Sequence, residues 1–146
     1  MHPTSGAPEG HPEVHIVHRG AGDKTFDTFF AKRTSSVAWH SDVTYEQQPP
    51  GTTFLYILDK PEAGGDTLFV NQVQAYKRLS PGFKQRLHGL KAVHSGLEQA
   101  ELSSRQQGFL RRTGITSVHP LVRTHPTTGE KALFVNPQCE PLLPQL

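Results

Sequence analysis

The residue pattern with the clearest chemical potential is His40-Ser41-Asp42, in which one residue separates an imidazole from a carboxylate. On a β-strand, residues i and i+2 project from the same face, so the two side chains would lie side by side, roughly 6–7 Å apart at the backbone. Such a pair supplies two members of a two-histidine, one-carboxylate iron site, which leaves coordination positions open for oxygen chemistry. The same pattern also fits a surface strand or a simple His–Asp hydrogen bond.

Presenting this pair on one face requires a strand, and residues 36–45 are rich enough in β-branched and aromatic side chains to predict one. Residues 53–58 form a continuous apolar run, which predicts a strand buried on both faces. Trp39 and Phe54 are therefore expected in the core. Further strands are predicted at residues 13–18, 66–70, 91–94, 118–124 and 131–136, the last two joined by a turn.

The middle of the chain predicts helices. Asn71 is expected to cap a helix over residues 72–79, and Ser80-Pro81 is expected to start another that ends near Gly89. Residues 98–107 predict a polar helix or a mobile loop. Short strands interrupted by helices predict a mainly β, α+β fold of the sandwich or jelly-roll type.

Composition narrows the function classes. The 146 residues are 34% hydrophobic and 19% charged, which predicts one small, loop-rich domain. A single cysteine, Cys139, excludes an internal disulfide and a Cys-rich zinc site, and it indicates a reducing, cytoplasmic compartment. The net charge of +2 is unclustered, so no nucleic-acid partner is expected. No apolar run approaches the ~20 residues of a membrane span and no signal-peptide pattern opens the chain, so no membrane partner is expected either.

Several motifs taken together resemble the taurine dioxygenase (TauD/TfdA) family of Fe(II)- and 2-oxoglutarate-dependent dioxygenases, most closely its fungal sulfonate dioxygenase branch. The resemblance covers nearly all of residues 1–136. The matching motifs are Trp-His-Ser-Asp-Val-Thr-Tyr (39–45), Pro-Pro-Gly (49–51), Gly-Gly-Asp-Thr-Leu (64–68), Ala-Tyr (75–76), Leu-Ser (79–80), His-Pro-Leu-Val-Arg-Thr-His-Pro (119–126) and Gly-Glu-Lys-Ala-Leu-Phe-Val-Asn (129–136).

The resemblance implies an iron site with 2-oxoglutarate and O₂ as cosubstrates, on a double-stranded β-helix (jelly roll). His40 and Asp42 match the two proximal iron ligands, and Thr67 matches the threonine whose hydroxyl contacts a 2-oxoglutarate carboxylate. The implied reaction hydroxylates a small sulfonate, which then releases sulfite. A homo-oligomer of the full-length enzyme is compatible with the resemblance.

The resemblance also implies which residues face the substrate. Val43 matches a position that lines the substrate pocket through its backbone, and His2 matches a histidine that reaches the sulfonate of taurine. Ser5 stands where the family has a substrate-contacting tyrosine, and Ser36 where it has a pocket asparagine. These two departures argue against taurine itself and leave a small anionic substrate, a sulfonate above all.

The resemblance ends at Asn136. Residues 1–136 are expected to form a partial dioxygenase domain that lacks its first strands, and residues 137–146 an atypical Pro-rich tail. The family's distal iron-binding histidine and its 2-oxoglutarate-binding arginine lie further downstream, whereas His119 and His125 are expected to be structural. The chain alone is therefore expected to expose apolar surface and to be inactive.

Two other functions remain open from the sequence. The chain fits a non-catalytic fragment or truncated paralogue that acts only as a binding or interaction module. It also fits a zinc-binding jelly-roll module that uses His40 and Asp42. Among the remaining polar residues, His94 is expected to be structural and Arg111-Arg112 to form a solvated basic patch.

Overall fold

The computed structural model describes residues 6–17, 39–105, 110–136 and 140–142. Three short helices and five short strands occur in these ranges, which agrees with an α+β class. The helices are α1 (Gln72–Lys77), α2 (Pro81–Leu87) and α3 (Leu97–Arg105). The strands are β1 (Lys91–Ser95), β2 (Thr116–Pro120), β3 (Val122–Thr124), β4 (Lys131–Leu133) and β5 (Glu140–Leu142).

Both predicted helix starts are confirmed, and local chemistry explains them. Asn71 caps α1, because its Oδ1 accepts hydrogen bonds from the backbone N–H groups of Val73 (2.9 Å) and Gln74 (3.0 Å). Ser80 caps α2 with its hydroxyl, and Pro81 occupies the first helical turn, where a missing N–H costs nothing. None of the helices in the described ranges is long and apolar enough to cross a bilayer.

The strands form two antiparallel sheets. One sheet has the order β2-β1-β5, with Ala92 opposite His119, and the other pairs β3 with β4. The strand predicted over residues 118–124 is therefore two strands in different sheets. Leu121 lies between them, where its N–H donates to Leu90 O (3.0 Å) and its carbonyl accepts from Phe134 N–H (2.7 Å).

Within the Pro-rich tail, β5 pairs with β1 at the sheet edge. An edge strand tolerates Pro141, since one side of such a strand needs no ladder hydrogen bonds.

Four strand predictions are wrong within the residues that the structure describes. Residues 53–58 and 66–70 form turns or irregular chain, and so do the described parts of the 36–45 and 13–18 predictions, residues 39–45 and 13–17. Apolar composition identifies residues suited to a strand, but a strand forms only where another strand completes its hydrogen bonds. Phe54 and Leu58 are accordingly 92% and 90% exposed, so the expected burial on both faces is wrong, whereas the expectation that this chain exposes apolar surface is confirmed. Trp39, which is 47% exposed, is not a core residue either.

The described core is small and partly polar. His94 on β1 is 1% exposed and lies beside His119 on β2, with ring centroids 5.2 Å apart. The His94 ring also stacks on Phe134, at 5.1 Å between centroids. This cluster confirms a structural role for His94, and it fixes the position of His119.

Burial, together with electrostatic interactions with His119 and Arg123, lowers the pKa of His94 below the ordinary histidine value of 6.5. The unfolded chain therefore binds more protons than the folded one below about pH 6.5, and stability falls as the pH drops from there toward the lowered pKa. We expect a loss of up to about 1.4 kcal/mol per pH unit in the free energy of unfolding. His94→Phe should flatten this dependence in denaturation curves at pH 5–7.

The matched control is His11→Ala, which removes an exposed histidine that contacts Glu13 (3.1 Å). This variant should keep the acid sensitivity of the wild type. An unchanged pH slope in His94→Phe would contradict the assignment of that sensitivity to His94.

Candidate metal centre

The predicted ligand pair is brought together, although not by the predicted strand. His40 precedes a turn that begins at Asp42, and His40 Nε2 lies 3.3 Å from Asp42 Oδ1. Both side chains are about half exposed. The two side chains therefore do not meet because they project from the same face of a strand. They meet because the chain reverses direction after His40.

Val43 shows how sharp this reversal is. Its φ is +46°, and Glu46 N–H donates to Val43 O (3.0 Å) to close the turn. A β-branched residue rarely adopts this left-handed conformation, so surrounding contacts must hold it there. Val43 is half-buried, and the predicted role of its backbone in a substrate pocket stays a prediction.

The residues after Val43 are docked on β2. Thr44 and Tyr45 are buried, and the Ser117 hydroxyl donates to Tyr45 O (2.7 Å). His119 Nε2–H donates to Glu46 O (2.9 Å). Two side chains of β2 thus satisfy two carbonyls of a segment that has no backbone ladder of its own.

An ion pair closes the same contact. Arg112 donates to the carboxylate of Glu46, and both side chains are mostly buried, at 28% and 26% exposure. Arg111 donates to Pro12 O (2.9 Å). The expectation of a solvated side chain is therefore wrong for Arg112, whose guanidinium is mostly buried against Glu46, whereas the Arg111 contact is exposed.

Asn136 binds the turn that carries the two predicted ligands (the ligand turn, residues 40–46). Its Oδ1 accepts from Ser41 N–H (3.0 Å), and its Nδ2 donates to Ser41 O (2.9 Å) and to Thr44 Oγ1 (3.0 Å). Ser41, the residue between His40 and Asp42, is thus held through both of its backbone polar groups.

A shallow cavity of about 170 Å³ lies beside His40. Thr67 directly precedes one wall of this cavity, but it is not part of the lining and its side chain is exposed. The predicted contact of Thr67 with a cosubstrate stays a prediction. The walls consist of residues 39–41 with Thr44, residues 68–70 with Gln72, and residues 133–136.

His119 and His125 have the structural roles expected of them. His119 binds the Glu46 carbonyl, and His125 Nδ1 accepts from Thr127 N–H and Thr128 N–H, each at 3.3 Å. Across the described ranges, no third His, Cys, Asp or Glu joins His40 and Asp42 in a cluster. The remaining predicted substrate residues, His2, Ser5 and Ser36, lie outside the described residues.

The residues that sequence analysis missed are those that hold the turn. Asn136 stood at the end of a matched motif with no role attached to it. Glu46, Arg112 and Ser117 fell outside every motif, because hydrogen bonds between residues more than 60 positions apart leave no local pattern.

Known proteins similar to this chain identify its family. The family described as "Taurine catabolism dioxygenase TauD, TfdA family" matches residues 1–145. An alpha-ketoglutarate-dependent sulfonate dioxygenase of Saccharomyces cerevisiae is 46% identical over 93% of this chain and 33% of its own length.

Two further relatives come from a fungus and a bacterium. An alpha-ketoglutarate-dependent dioxygenase of Penicillium expansum is 45% identical over 93% of this chain and 36% of its own length. An alpha-ketoglutarate-dependent sulfate ester dioxygenase of Pseudomonas putida is 32% identical over 88% of this chain and 45% of its own length. The chain thus spans between a third and a half of the length of these relatives.

Arg112→Met should lower the free energy of unfolding by about 1–3 kcal/mol, because it leaves the mostly buried Glu46 carboxylate without its partner. Chemical denaturation of the full-length protein measures the change. Arg105→Met is the matched control, since Arg105 pairs with Glu101 at 75% and 67% exposure. An exposed pair contributes little, so the control should lose less than about 0.5 kcal/mol. Equal losses in both variants would contradict the importance of the Glu46 contact.

Proposed function

The chain belongs to the TauD/TfdA family, and on that premise we propose that it contributes to the active site of an Fe(II)- and 2-oxoglutarate-dependent dioxygenase acting on a small sulfonate. The observation that supports this most directly is the 3.3 Å approach of His40 Nε2 to Asp42 Oδ1. We propose these two atoms as ligands of the iron.

The separation of the two atoms fits a shared metal ion. Histidine nitrogens and carboxylate oxygens bind transition metals at about 2.0–2.2 Å. Two such donor atoms could share one ion when they lie within about 4 Å of each other, and the 3.3 Å between His40 Nε2 and Asp42 Oδ1 meets this condition. Their half-exposed side chains leave room for a metal, a cosubstrate and a third ligand on the open side.

Iron, when bound, supplies the redox chemistry that uses O₂ while 2-oxoglutarate is converted to succinate and CO₂. One oxygen atom would enter the substrate at the carbon beside its sulfonate. The C–S bond of the product then breaks to give an aldehyde and sulfite. The chain's own residues position the reacting groups. The Thr67 hydroxyl donates a hydrogen bond to a 2-oxoglutarate carboxylate.

The substrate is proposed as a small anion. Relatives of this chain bear the names sulfonate dioxygenase and sulfate ester dioxygenase. Sulfonates and sulfate esters both carry a tetrahedral sulfur-oxygen anion. We propose that His2, Ser5, Ser36 and the backbone of Val43 face this substrate. Ser5 and Ser36 replace larger side chains of the taurine enzymes, which favours a sulfonate other than taurine.

The remainder of the site is proposed to come from the full-length protein. Its jelly roll would contain residues 1–136, with the distal histidine ligand and the 2-oxoglutarate-binding arginine contributed by other parts of that protein. The single cysteine supports a reducing, cytoplasmic compartment.

His40→Ala and Asp42→Ala should each abolish succinate production by the full-length protein, because each removes a metal ligand from an already open site. Asp42→Glu should also fail, since the extra methylene moves the carboxylate away from the metal. Anaerobic Fe(II) titration should show weaker binding in all three variants. His11→Ala is the control and should match the wild type. Near-normal turnover in either alanine variant would refute the ligand assignment and favour a non-catalytic binding module.

Thr67→Val retains the shape of the side chain but removes the hydroxyl that is proposed to contact 2-oxoglutarate. The loss of one hydrogen bond to a carboxylate should cost about 1–3 kcal/mol, or roughly 5- to 150-fold in cosubstrate affinity. Kinetics with varied 2-oxoglutarate should show this change, and the dependence on the sulfonate should stay nearly constant. Thr53→Val, at an exposed position, is the control. A change confined to the sulfonate dependence would contradict this role of Thr67.

A further inference from the structure

Asn136 holds the peptide units between the two proposed ligands, and we propose that it is the positioning residue that sets the placement of His40 relative to Asp42. This inference rests on the proposed function, because it assigns the three hydrogen bonds of Asn136 (the clamp) to a metal site. Asn136 itself is not a ligand in this scheme. It acts through the backbone of Ser41.

The argument starts from the peptide planes. Ser41 N–H belongs to the peptide that joins it to His40, and Ser41 C=O belongs to the peptide that joins it to Asp42. Asn136 binds the first group at 3.0 Å and the second at 2.9 Å. Since peptide units are planar, fixing both groups restrains φ and ψ of Ser41 and so fixes where the Cα atoms of His40 and Asp42 lie relative to each other.

A primary amide suits this task because it presents an acceptor and donors side by side. The Oδ1 atom faces an N–H group, and the Nδ2 atom faces two oxygens, those of the Ser41 carbonyl and the Thr44 hydroxyl. The third contact, at 3.0 Å to Thr44 Oγ1, reaches past the left-handed residue Val43. The three hydrogen bonds of Asn136 therefore hold the chain on both sides of Val43.

The chain segment that carries Asn136 is held by hydrogen bonding and ring packing. Two residues before it, Phe134 donates its N–H to Leu121 O (2.7 Å), and its ring stacks on the buried His94. At the other end of the clamp, Thr44 is 4% exposed. The hydrogen bonds thus join two anchored parts of the chain, so their loss should release the ligand turn rather than be absorbed by movement of Asn136.

The experiment uses Asn136→Ala in the full-length protein, with two readouts. Hydrogen exchange at the Ser41 amide, measured without metal, should accelerate at least tenfold, because its acceptor is gone. Anaerobic titration with Fe(II) alone should show about 10- to 100-fold weaker binding, as expected when a residue that orients a metal ligand is lost.

Ser80→Ala is the matched control, since it removes a side-chain acceptor from a backbone N–H at the start of α2. It should leave both the Ser41 exchange rate and the Fe(II) affinity unchanged. Equal losses of Fe(II) affinity in Ser80→Ala and Asn136→Ala would overturn the proposal, because they would trace the effect to general stability.

Thr44→Val is the second variant and decides the matter if Asn136→Ala does not fold. It preserves the buried volume and removes one acceptor of the Asn136 amide, so Fe(II) binding should weaken by a smaller factor. Unchanged affinity in the variants that fold overturns the positioning role and leaves the proposed function standing. Fe(II) affinity that is indifferent to His40→Ala overturns the proposed function, and this inference with it.

Discussion

The candidate site depends on hydrogen bonds from side chains to the backbone of residues 40–46. In the described structure this segment has no strand partner, so no backbone ladder holds it. Asn136 binds Ser41, while Ser117 and His119 bind the carbonyls of the next stretch. Backbone groups that leave water need partners, and here those partners also determine where the two proposed ligands point.

These restraints connect the site to the core. His119 packs edge-on against His94 and Phe134 at 5.2 and 5.4 Å between ring centroids, while its Nε2 binds Glu46 O. Phe134 in turn leads to Asn136. The same aromatic cluster therefore orients both His119 and Asn136, which bind the ligand turn at different points. A substitution that disturbs the packing of this cluster would change the site through both contacts.

Features governed by neighbouring residues were predictable. The capping side chains of Asn71 and Ser80 act within three residues, and the ligand pair is separated by one residue, so each was visible in the sequence. Features that need distant partners were not. The apolar run at residues 53–58 has strand composition without a strand, and Arg112 looked solvated because its partner Glu46 lies 66 positions away.

The long sequence separation between Ser41 and Asn136 determines when in folding the site forms. The two residues are 95 positions apart, and Ser117 and His119 lie more than 70 positions from the groups they bind. Contacts of such high sequence separation form late, because closing a long loop costs entropy before the contact repays it. A nascent chain emerging from the ribosome thus displays His40 and Asp42 well before the residues that orient them exist. On the proposed function, capture of a metal ion in the correct geometry is consequently a late event in biogenesis, coupled to completion of the tertiary structure.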